Sequence, residues 1–200
     1  MEGIQRFKFL RPKGFYKSLK VFKYTTVIYD LTYAFQERFL KTGDRTKDQM
    51  AQSARAGKQN IAEGSEAGRV SKYSEILLIN VARASLQELL QDYEDYLRTR
   101  NLEKWGKEDE RTLRTRKIVT NKINNYSEEV EKYFIQVGET RSDESLANIC
   151  ITMIHMADSM LAGLQKRQER DFLEEGGMKE QMHKARLEAR AHFNRGGKGN

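Results

Sequence analysis

Apolar residues recur at intervals of three and four along most of the chain, a spacing that places them on one face of an α-helix. The first such pattern covers residues 18–41 and ends before Gly43. Its apolar positions are Leu19, Phe22, Val27, Leu31, either Ala34 or Phe35, and Leu40. The spacing predicts a first long helix over about residues 18–41, with one face directed at a core.

A second helix is predicted over residues 46–64. Thr46, with Gln49 three positions later, has the spacing of a capping box that marks a helix start, and Gly64 is placed to end the helix. Gly57 lies inside this helix, where glycine costs about 1 kcal/mol relative to alanine. We therefore expect a neighbouring backbone to pass close to Gly57.

Three further helical patterns follow. Ser71 is a suitable N-cap for a helix over 71–100, whose apolar spacing persists for about six turns, as in helix bundles. Residues 109–137 form a separate amphipathic segment with a basic first half and an acidic second half, an order that opposes the helix dipole. Ser142 is placed to cap a last long helix over 142–175.

The composition agrees with an all-helical chain. There is one proline, Pro12, 32% of the residues are charged, and the alternation typical of strands is scarce. We predict an all-α fold: an antiparallel up-and-down four-helix bundle with an extra amphipathic helix at about 109–137 and a basic C-terminal helix. The predicted organisation is a basic, aromatic arm at 1–17, the helical bundle at 18–176, and a basic appendage at 177–200.

Positive charge is concentrated at the two ends of the chain. The net charge is +7; residues 1–23 hold seven lysines and arginines against one glutamate, and residues 178–200 hold six against two. The remaining stretch is slightly acidic. If the 109–137 segment lies outside the bundle, the four long helices alternate in direction and both basic ends form one patch. If that segment is itself a bundle helix, the two ends separate.

The basic ends are the main candidate for a binding site. Cations neutralise phosphates, and aromatic rings between them offer platforms on which unpaired bases stack. The candidate phosphate contacts are Arg6, Lys8, Arg11, Lys13, Lys17, Lys20, Arg186, Arg190 and Arg195. The candidate stacking residues are Phe7, Phe9, Phe15 and Tyr16. The alternative interpretation is a solubilising tail whose phenylalanines cover the end of the bundle.

Other chemistry finds little support in the sequence. The single cysteine, Cys150, lies on an apolar stripe and is interpreted as core packing, and Glu180 with His183 is the one Glu-x-x-His pair. The acidic cluster around Asp92 is interpreted as a solvated face that pairs with Arg98 and neighbouring cations. We therefore expect no enzyme activity, no cofactor and no metal. With neither a signal peptide nor a membrane-spanning run of about 18 apolar residues, we expect a cytoplasmic protein.

Two segments resemble a known family. Residues 49–65, with Asn-Ile-Ala-Glu-Gly at 60–64, and the Ala-Ser-Leu-Gln-Glu-Leu run at 84–89 resemble small bacterial four-helix-bundle proteins first noticed in intervening sequences of 23S ribosomal RNA genes. A relative is the accessory variability protein of diversity-generating retroelements. The Glu-Glu-Gly-Gly at 174–177 and the basic helix after it resemble a longer branch with a C-terminal suffix. The matching motif residues are Asn60, Glu63, Gly64, Arg69, Ser71 and Glu75.

This resemblance implies a left-handed bundle, assembly into five-fold rings, and a reverse transcriptase as a partner. The first hypothesis is therefore a non-enzymatic, oligomeric protein that binds RNA or DNA, or assists a reverse transcriptase, through a basic surface. The alternative is a structural or protein-interaction bundle with no nucleic-acid role. In that case, an oligomer interface would be formed by the small residues of the second helix and by Tyr29, Tyr33, Tyr93 and Tyr96.

Overall fold

The described part of the chain is entirely helical. The structure is a computed structural model that describes residues 16–68, 70–176, 180, 182–188 and 190, and these contain no strand. A 3-10 turn is followed by six α-helices. The elements are the turn at Tyr16–Ser18, α1 at Lys20–Phe39, α2 at Arg45–Ala67, α3 at Lys72–Thr99, α4 at Glu110–Asn124, α5 at Glu128–Thr140 and α6 at Asp143–Glu175. The prediction of an all-α fold is confirmed.

The helices pack so that the start of α1 and the C-terminal part of α6 lie toward the same end of the molecule. α1 packs against α2 and α6, and α3 packs against the same two helices. Arg38, at the end of α1, donates to the carbonyl of Arg141, just before α6, at 2.9 Å. At the other end, Lys72 donates to the carbonyl of Asp171 at 3.1 Å. α1 and α6 therefore run in opposite directions, which brings Lys20 to the end of the molecule where α6 terminates.

The α4–α5 hairpin lies on the outside of α1 and α6. α5 packs against α1, and α4 packs mainly against α6, with a smaller contact to α1. Tyr24 of α1 shares a 3.4 Å hydrogen bond with Thr120 of α4. The 109–137 segment thus adds a layer next to α1 and α6.

The core is built from the apolar stripes that the spacing predicts. Completely or almost completely buried residues include Val27, Leu31, Phe35, Met50, Ile61, Ile79, Leu86, Leu146, Met153 and Leu161. Phe35 lies at the centre of an aromatic group, with its ring 5.1 Å from that of Tyr93 and 4.7 Å from that of Tyr96 in T-shaped geometry. The Tyr93 hydroxyl donates to Thr32 at 3.0 Å, so the buried phenol keeps a partner.

The single helix predicted over 109–137 is wrong, because the segment forms two helices. The chain breaks between Asn124 and Glu128, so that Lys122 lies in the last turn of α4 and the glutamates lie in the first turn of α5. Cations near a helix C-terminus and carboxylates near an N-terminus both interact favourably with the dipole. The charge order that opposes one long helix is therefore favourable for two short ones.

The predicted limits of α2 also need correction. Asp44, not Thr46, is the N-cap, and its carboxylate accepts from the Thr46 N–H at 2.9 Å. Gly64 does not end the helix, which continues to Ala67. A Cβ added to Gly64 would lie 3.4 Å from the Leu78 Cβ, so this glycine permits close contact between α2 and α3.

From the sequence we expect no membrane-spanning run, but one helix meets the criteria of length and apolar composition. α6 contains a stretch that is long and apolar enough to cross a membrane by length and composition alone. In this fold, 56% of that stretch is buried, and Cys150, Met153 and Ile154 are fully enclosed by neighbouring helices. The same character is found in core helices of soluble proteins.

Candidate nucleic-acid interface

Several of the predicted binding residues lie outside the described residues. These are Arg6, Phe7, Lys8, Phe9, Arg11, Lys13, Phe15 and Arg195. Lys17 and Lys20 are exposed at the start of α1. The ring of Tyr16 is half-buried and packs edge-on against Phe22 with centroids 4.8 Å apart. Tyr16 therefore already has one ring contact inside the fold.

Arg186 and Arg190 lie on one face near the C-terminal end of the described chain. Residues 182–188 and 190 are helical, and both arginine side chains are exposed. His183 precedes them by three and seven positions, so all three side chains project from the same side of a helix. This segment follows α6, whose C-terminal end lies on the same side of the molecule as Lys20.

A cationic cleft between α4 and α6 is the feature that the sequence analysis missed. The cleft has a volume of about 730 Å³ and is bounded by the 104–107 loop, α4 and α6. Its cationic or titratable wall residues are Lys104, Lys107, Arg116 and His155. Among the described residues that line it, none is an aspartate or a glutamate. We call this feature the α4–α6 cleft.

Most of the cations in the α4–α6 cleft have no carboxylate partner. The Lys104 ammonium lies 3.0 Å from a Glu94 oxygen. Within the described chain, no ion pair or hydrogen bond engages the side chains of Lys107, Arg116 or His155. Unpaired cations in a concave, partly apolar site keep their attraction for an anion from solution.

Side-chain hydrogen bonds hold the loop at the mouth of the α4–α6 cleft against α4 and α6. The Asn148 carbonyl oxygen accepts from the Trp105 backbone N–H at 2.8 Å, and its amide donates to the Glu103 carbonyl at 2.8 Å. Arg111 donates to Glu103 and Asp109, each at 2.7 Å, with its guanidinium 4.9 Å from the centre of the Trp105 ring.

These contacts also determine which cations remain available. Hydrogen bonds from Arg111 lower the pKa of the Glu103 carboxyl, and they lower the pKa of Asp109 as well. The same bonds raise the pKa of Arg111 itself. Arg111 is therefore neutralised locally, and the positive charge of the cleft comes from Lys107 and Arg116.

An exposed stripe on α6 continues the cleft toward the C-terminus. His155, Ser159, Lys166 and Arg170 are exposed, and their spacing of four, seven and four places them on one helix face. Glu169 is exposed at the edge of this stripe. The stripe leads from the α4–α6 cleft to the end of α6, beyond which Arg186 and Arg190 lie.

The family-motif residues join α2 to α3. Asn60 donates to the Ala56 carbonyl at 2.9 Å within α2, and Ser71 caps α3 by accepting from the Ser74 N–H at 3.2 Å. The Glu75 carboxylate lies directly against Gly68. Glu63 is exposed, and Arg69 lies outside the described residues. The described contacts of this motif are therefore contacts of the turn between two helices.

The two remaining chemical candidates are Cys150, which packs in the core, and the acidic cluster around Asp92. Burial raises the pKa of the Cys150 thiol to about 12, as expected for a cysteine that acts as a small apolar residue. Burial also raises the pKa of Asp92, and the negative charges of Asp95 and Glu88 raise it further. Asp95 in turn pairs with Arg98 at 2.8 Å. In the described chain, no three histidine, cysteine, aspartate or glutamate side chains are grouped as metal ligands.

Comparison with known proteins adds no relative. No protein-family model matches the chain, and no curated protein or solved structure is significantly similar to it. The resemblance described above therefore stays a prediction.

Proposed function

We propose that the protein is a non-enzymatic, cytoplasmic nucleic-acid-binding protein that acts through a continuous basic surface. The observation that carries the proposal is the α4–α6 cleft, in which Lys107, Arg116 and His155 face a cavity without any lining carboxylate. The stripe of Lys166 and Arg170 extends this cationic character toward the basic C-terminal segment. Phosphate contacts of this kind supply most of the affinity of sequence-independent binding.

The architecture that we propose is an antiparallel four-helix bundle of α1, α2, α3 and α6, with the α4–α5 hairpin added outside. It is supported by the closed circuit of contacts from α1 to α2, α3, α6 and back to α1. Under this arrangement Lys20, at the start of α1, lies toward the end of the molecule where the α6 stripe finishes. The basic surface would then hold a nucleic-acid strand that passes from the α4–α6 cleft toward the two basic ends of the chain.

We also propose that the protein is a homo-oligomer, for which the family resemblance implies five copies. Support comes from an uncovered apolar stripe on α3, where Tyr73 is 71%, Leu77 51% and Val81 42% exposed. These residues follow one another at four-residue spacing, as the contact face of a bundle helix does. Tyr93 and Tyr96 cannot form such an interface because both are buried within the chain.

Fluorescence anisotropy with single-stranded RNA and duplex DNA across a salt series tests the binding proposal. We expect binding at low salt that weakens steeply as salt rises, because phosphate neutralisation releases counterions. Undetectable binding to both at low salt would favour the alternative of a structural or protein-interaction bundle. The partner to test first is a reverse transcriptase, which the resemblance implies.

A further inference from the structure

A second groove, of opposite character to the α4–α6 cleft, runs between α1 and α5. It has a volume of about 630 Å³ and is lined by aromatic side chains that include Tyr29, Tyr33 and Tyr126. Tyr33 and Ile135 on its walls are 55% and 54% exposed. Large apolar side chains that are left uncovered in a concave site are typical of a surface that binds another segment.

The same groove is lined by carboxylates, and the cation that acts on one of them, Asp30, is Lys58 of α2, outside the described lining. Asp30, Glu131 and Glu139 line it, and none of the described lining residues is a lysine or an arginine. Two cations lie over rings of the groove: the Lys58 ammonium is 4.2 Å from the Tyr29 ring centre, and the Lys23 ammonium is 5.5 Å from the Tyr126 ring centre.

Two groups that line the groove, Asp30 and Tyr126, have raised pKa values. Burial raises the pKa of Asp30; Lys58 counteracts this rise and Glu131 adds to it. Burial and then Glu131 raise the pKa of Tyr126 to about 12. In both groups the largest cause is loss of water around the group itself, and the negative charge of Glu131 adds to the rise. A cation entering the groove would offset this negative charge.

Carboxylates beside exposed aromatic rings select a particular ligand chemistry. Ammonium and guanidinium groups pair with carboxylates and also bind over aromatic faces. Apolar or aromatic groups of the same ligand would cover Tyr33 and Ile135. The groove therefore fits a peptide segment in which cations alternate with aromatic residues.

The chain itself contains such a segment. Arg6, Phe7, Lys8 and Phe9 alternate cation and ring, so that an extended peptide would present cations on one side and rings on the other. The remainder of the first fifteen residues is also basic, with Arg11 and Lys13. Its charge and its apolar content are both complementary to the groove.

The arm is long enough to reach the groove of its own chain. It joins the fold at Tyr16, whose ring packs on Phe22, about one helical turn before Thr26 at the edge of the groove. Fifteen extended residues span up to about 50 Å. The α1 side of the groove, from Thr26 to Ala34, is about 12 Å long at 1.5 Å per residue.

We propose that residues 1–15 dock in the α1–α5 groove of the same chain, with Arg6 and Lys8 on Asp30 and Glu131 and with Phe7 and Phe9 on the apolar wall. This inference goes beyond the proposed function, because docking needs no nucleic acid. Docking of the arm would also affect nucleic-acid binding. The cations held in the groove are those proposed to contact phosphates, so nucleic acid and the groove compete for them.

Photocrosslinking of the full-length protein tests the docking. The photoreactive residue benzoylphenylalanine is placed at position 7, and in a second variant at position 9, and the crosslinked peptides are identified by mass spectrometry. We expect crosslinks within one chain to peptides of α1 and α5 that line the groove. Crosslinks that join two chains, crosslinks to other helices only, or none from either position would overturn the proposal.

Charge variants add a matched control. In Asp30→Asn/Glu131→Gln we expect the crosslink yield to fall about fivefold, since the two ion pairs that the arm would make with these exposed carboxylates are lost. The control Asp48→Asn/Glu63→Gln changes the same charge at exposed sites on α2, and we expect its yield to stay that of the wild type. If the groove variant does not fold, Lys8→Glu on the arm should give the same loss. Equal yields in the test and control variants would contradict the proposal.

Nucleic-acid affinity provides a readout of the competition. We expect Asp30→Asn/Glu131→Gln to bind single-stranded RNA about threefold more tightly than Asp48→Asn/Glu63→Gln, because the arm is released and the net charge is the same. If wild-type protein binds no nucleic acid, the proposed function fails while the crosslinking result still decides the docking. Crosslinking at the groove with equal RNA affinities would overturn the competition alone.

Discussion

Two glycines inside helices should respond to alanine in opposite ways. Gly57 is buried in α2, and a Cβ added to it would lie 2.9 Å from Leu86 Cδ2 and 3.1 Å from Leu86 Cγ. Gly163 lies in α6 at an exposed position, and an added Cβ would meet nothing within 4 Å. The two substitutions share the same gain in helix propensity and differ only in packing.

The magnitudes follow from these distances. Alanine in place of glycine stabilises a helix interior by about 1 kcal/mol, and Gly163→Ala should show that gain. At Gly57 the Leu86 side chain, which is fully buried, must move, and overpacking of this kind costs roughly 1–3 kcal/mol. We therefore expect Gly57→Ala to lower the free energy of unfolding by about 1 kcal/mol, the difference between these two contributions.

A double-mutant cycle with Leu86→Ala isolates the contact. Leu86→Ala alone removes the obstructing atoms and costs about 2–5 kcal/mol through the cavity it leaves. In that background, Gly57→Ala should become stabilising by about 1 kcal/mol, a coupling of about 2 kcal/mol. Such a change of sign is expected only if α2 and α3 approach at Gly57 as described.

Urea denaturation followed by far-ultraviolet circular dichroism, at one fixed protein concentration, measures all four free energies. The reasoning would be refuted if Gly57→Ala stabilised the wild-type chain as much as Gly163→Ala does. It would also be refuted if Gly57→Ala had the same effect with leucine and with alanine at position 86.

Three further outcomes are expected. Leu77→Glu on the exposed α3 stripe should reduce the solution mass toward that of one chain in light scattering, whereas Leu113→Glu, at an exposed leucine of α4, should not; a wild-type monomer would contradict the oligomer. Cys150, with a pKa raised to about 12, stays a neutral thiol at pH 8, so we expect alkylation of the native protein about a thousandfold slower than of the unfolded chain, rising with pH; equal rates would contradict its burial. Because Arg111 lowers the pKa values of Glu103 and Asp109, its stabilising effect is present above the unfolded pKa values of these carboxyls and is lost as pH falls through the folded ones. Arg111→Gln should therefore destabilise the protein at pH 6 and have little effect near pH 3, and a difference that grows on acidification would disprove this account.

The sequence predicts the helices and their buried faces well, because helical periodicity is a local property. Val27, Leu31 and Leu86 are buried as their spacing predicts, and Ser71 and Ser142 are N-caps as predicted. Close packing at Gly57 is found, but the neighbour is the Leu86 side chain and not a backbone: a Cβ at Gly57 would lie 2.9 Å from Leu86 Cδ2 and 3.7 Å from the Ala82 carbonyl oxygen.

What could not be predicted depends on contacts between distant parts of the chain. Gly64 has the sequence character of a helix end, but its function is set by Leu78 on the neighbouring helix. Lys107, Arg116 and His155 meet only because α4 packs on α6, and no spacing in the sequence indicates it. The basic first half of the 109–137 segment indicates a helix with a charged surface, but it does not indicate which helix that surface faces.

The salt dependence of nucleic-acid binding by cleft variants tests the central claim most directly. Lys107→Gln/Arg116→Gln removes two unpaired cations from the α4–α6 cleft, and Lys132→Gln removes an exposed lysine that pairs with Glu128 on α5 at 2.7 Å. For single-stranded RNA we expect the slope of log K against log salt to become shallower by about 1.4 in the double variant, as two lost phosphate contacts require. The slope should be unchanged in Lys132→Gln. A double variant with the affinity and slope of the wild type would contradict the claim that this cleft binds phosphates.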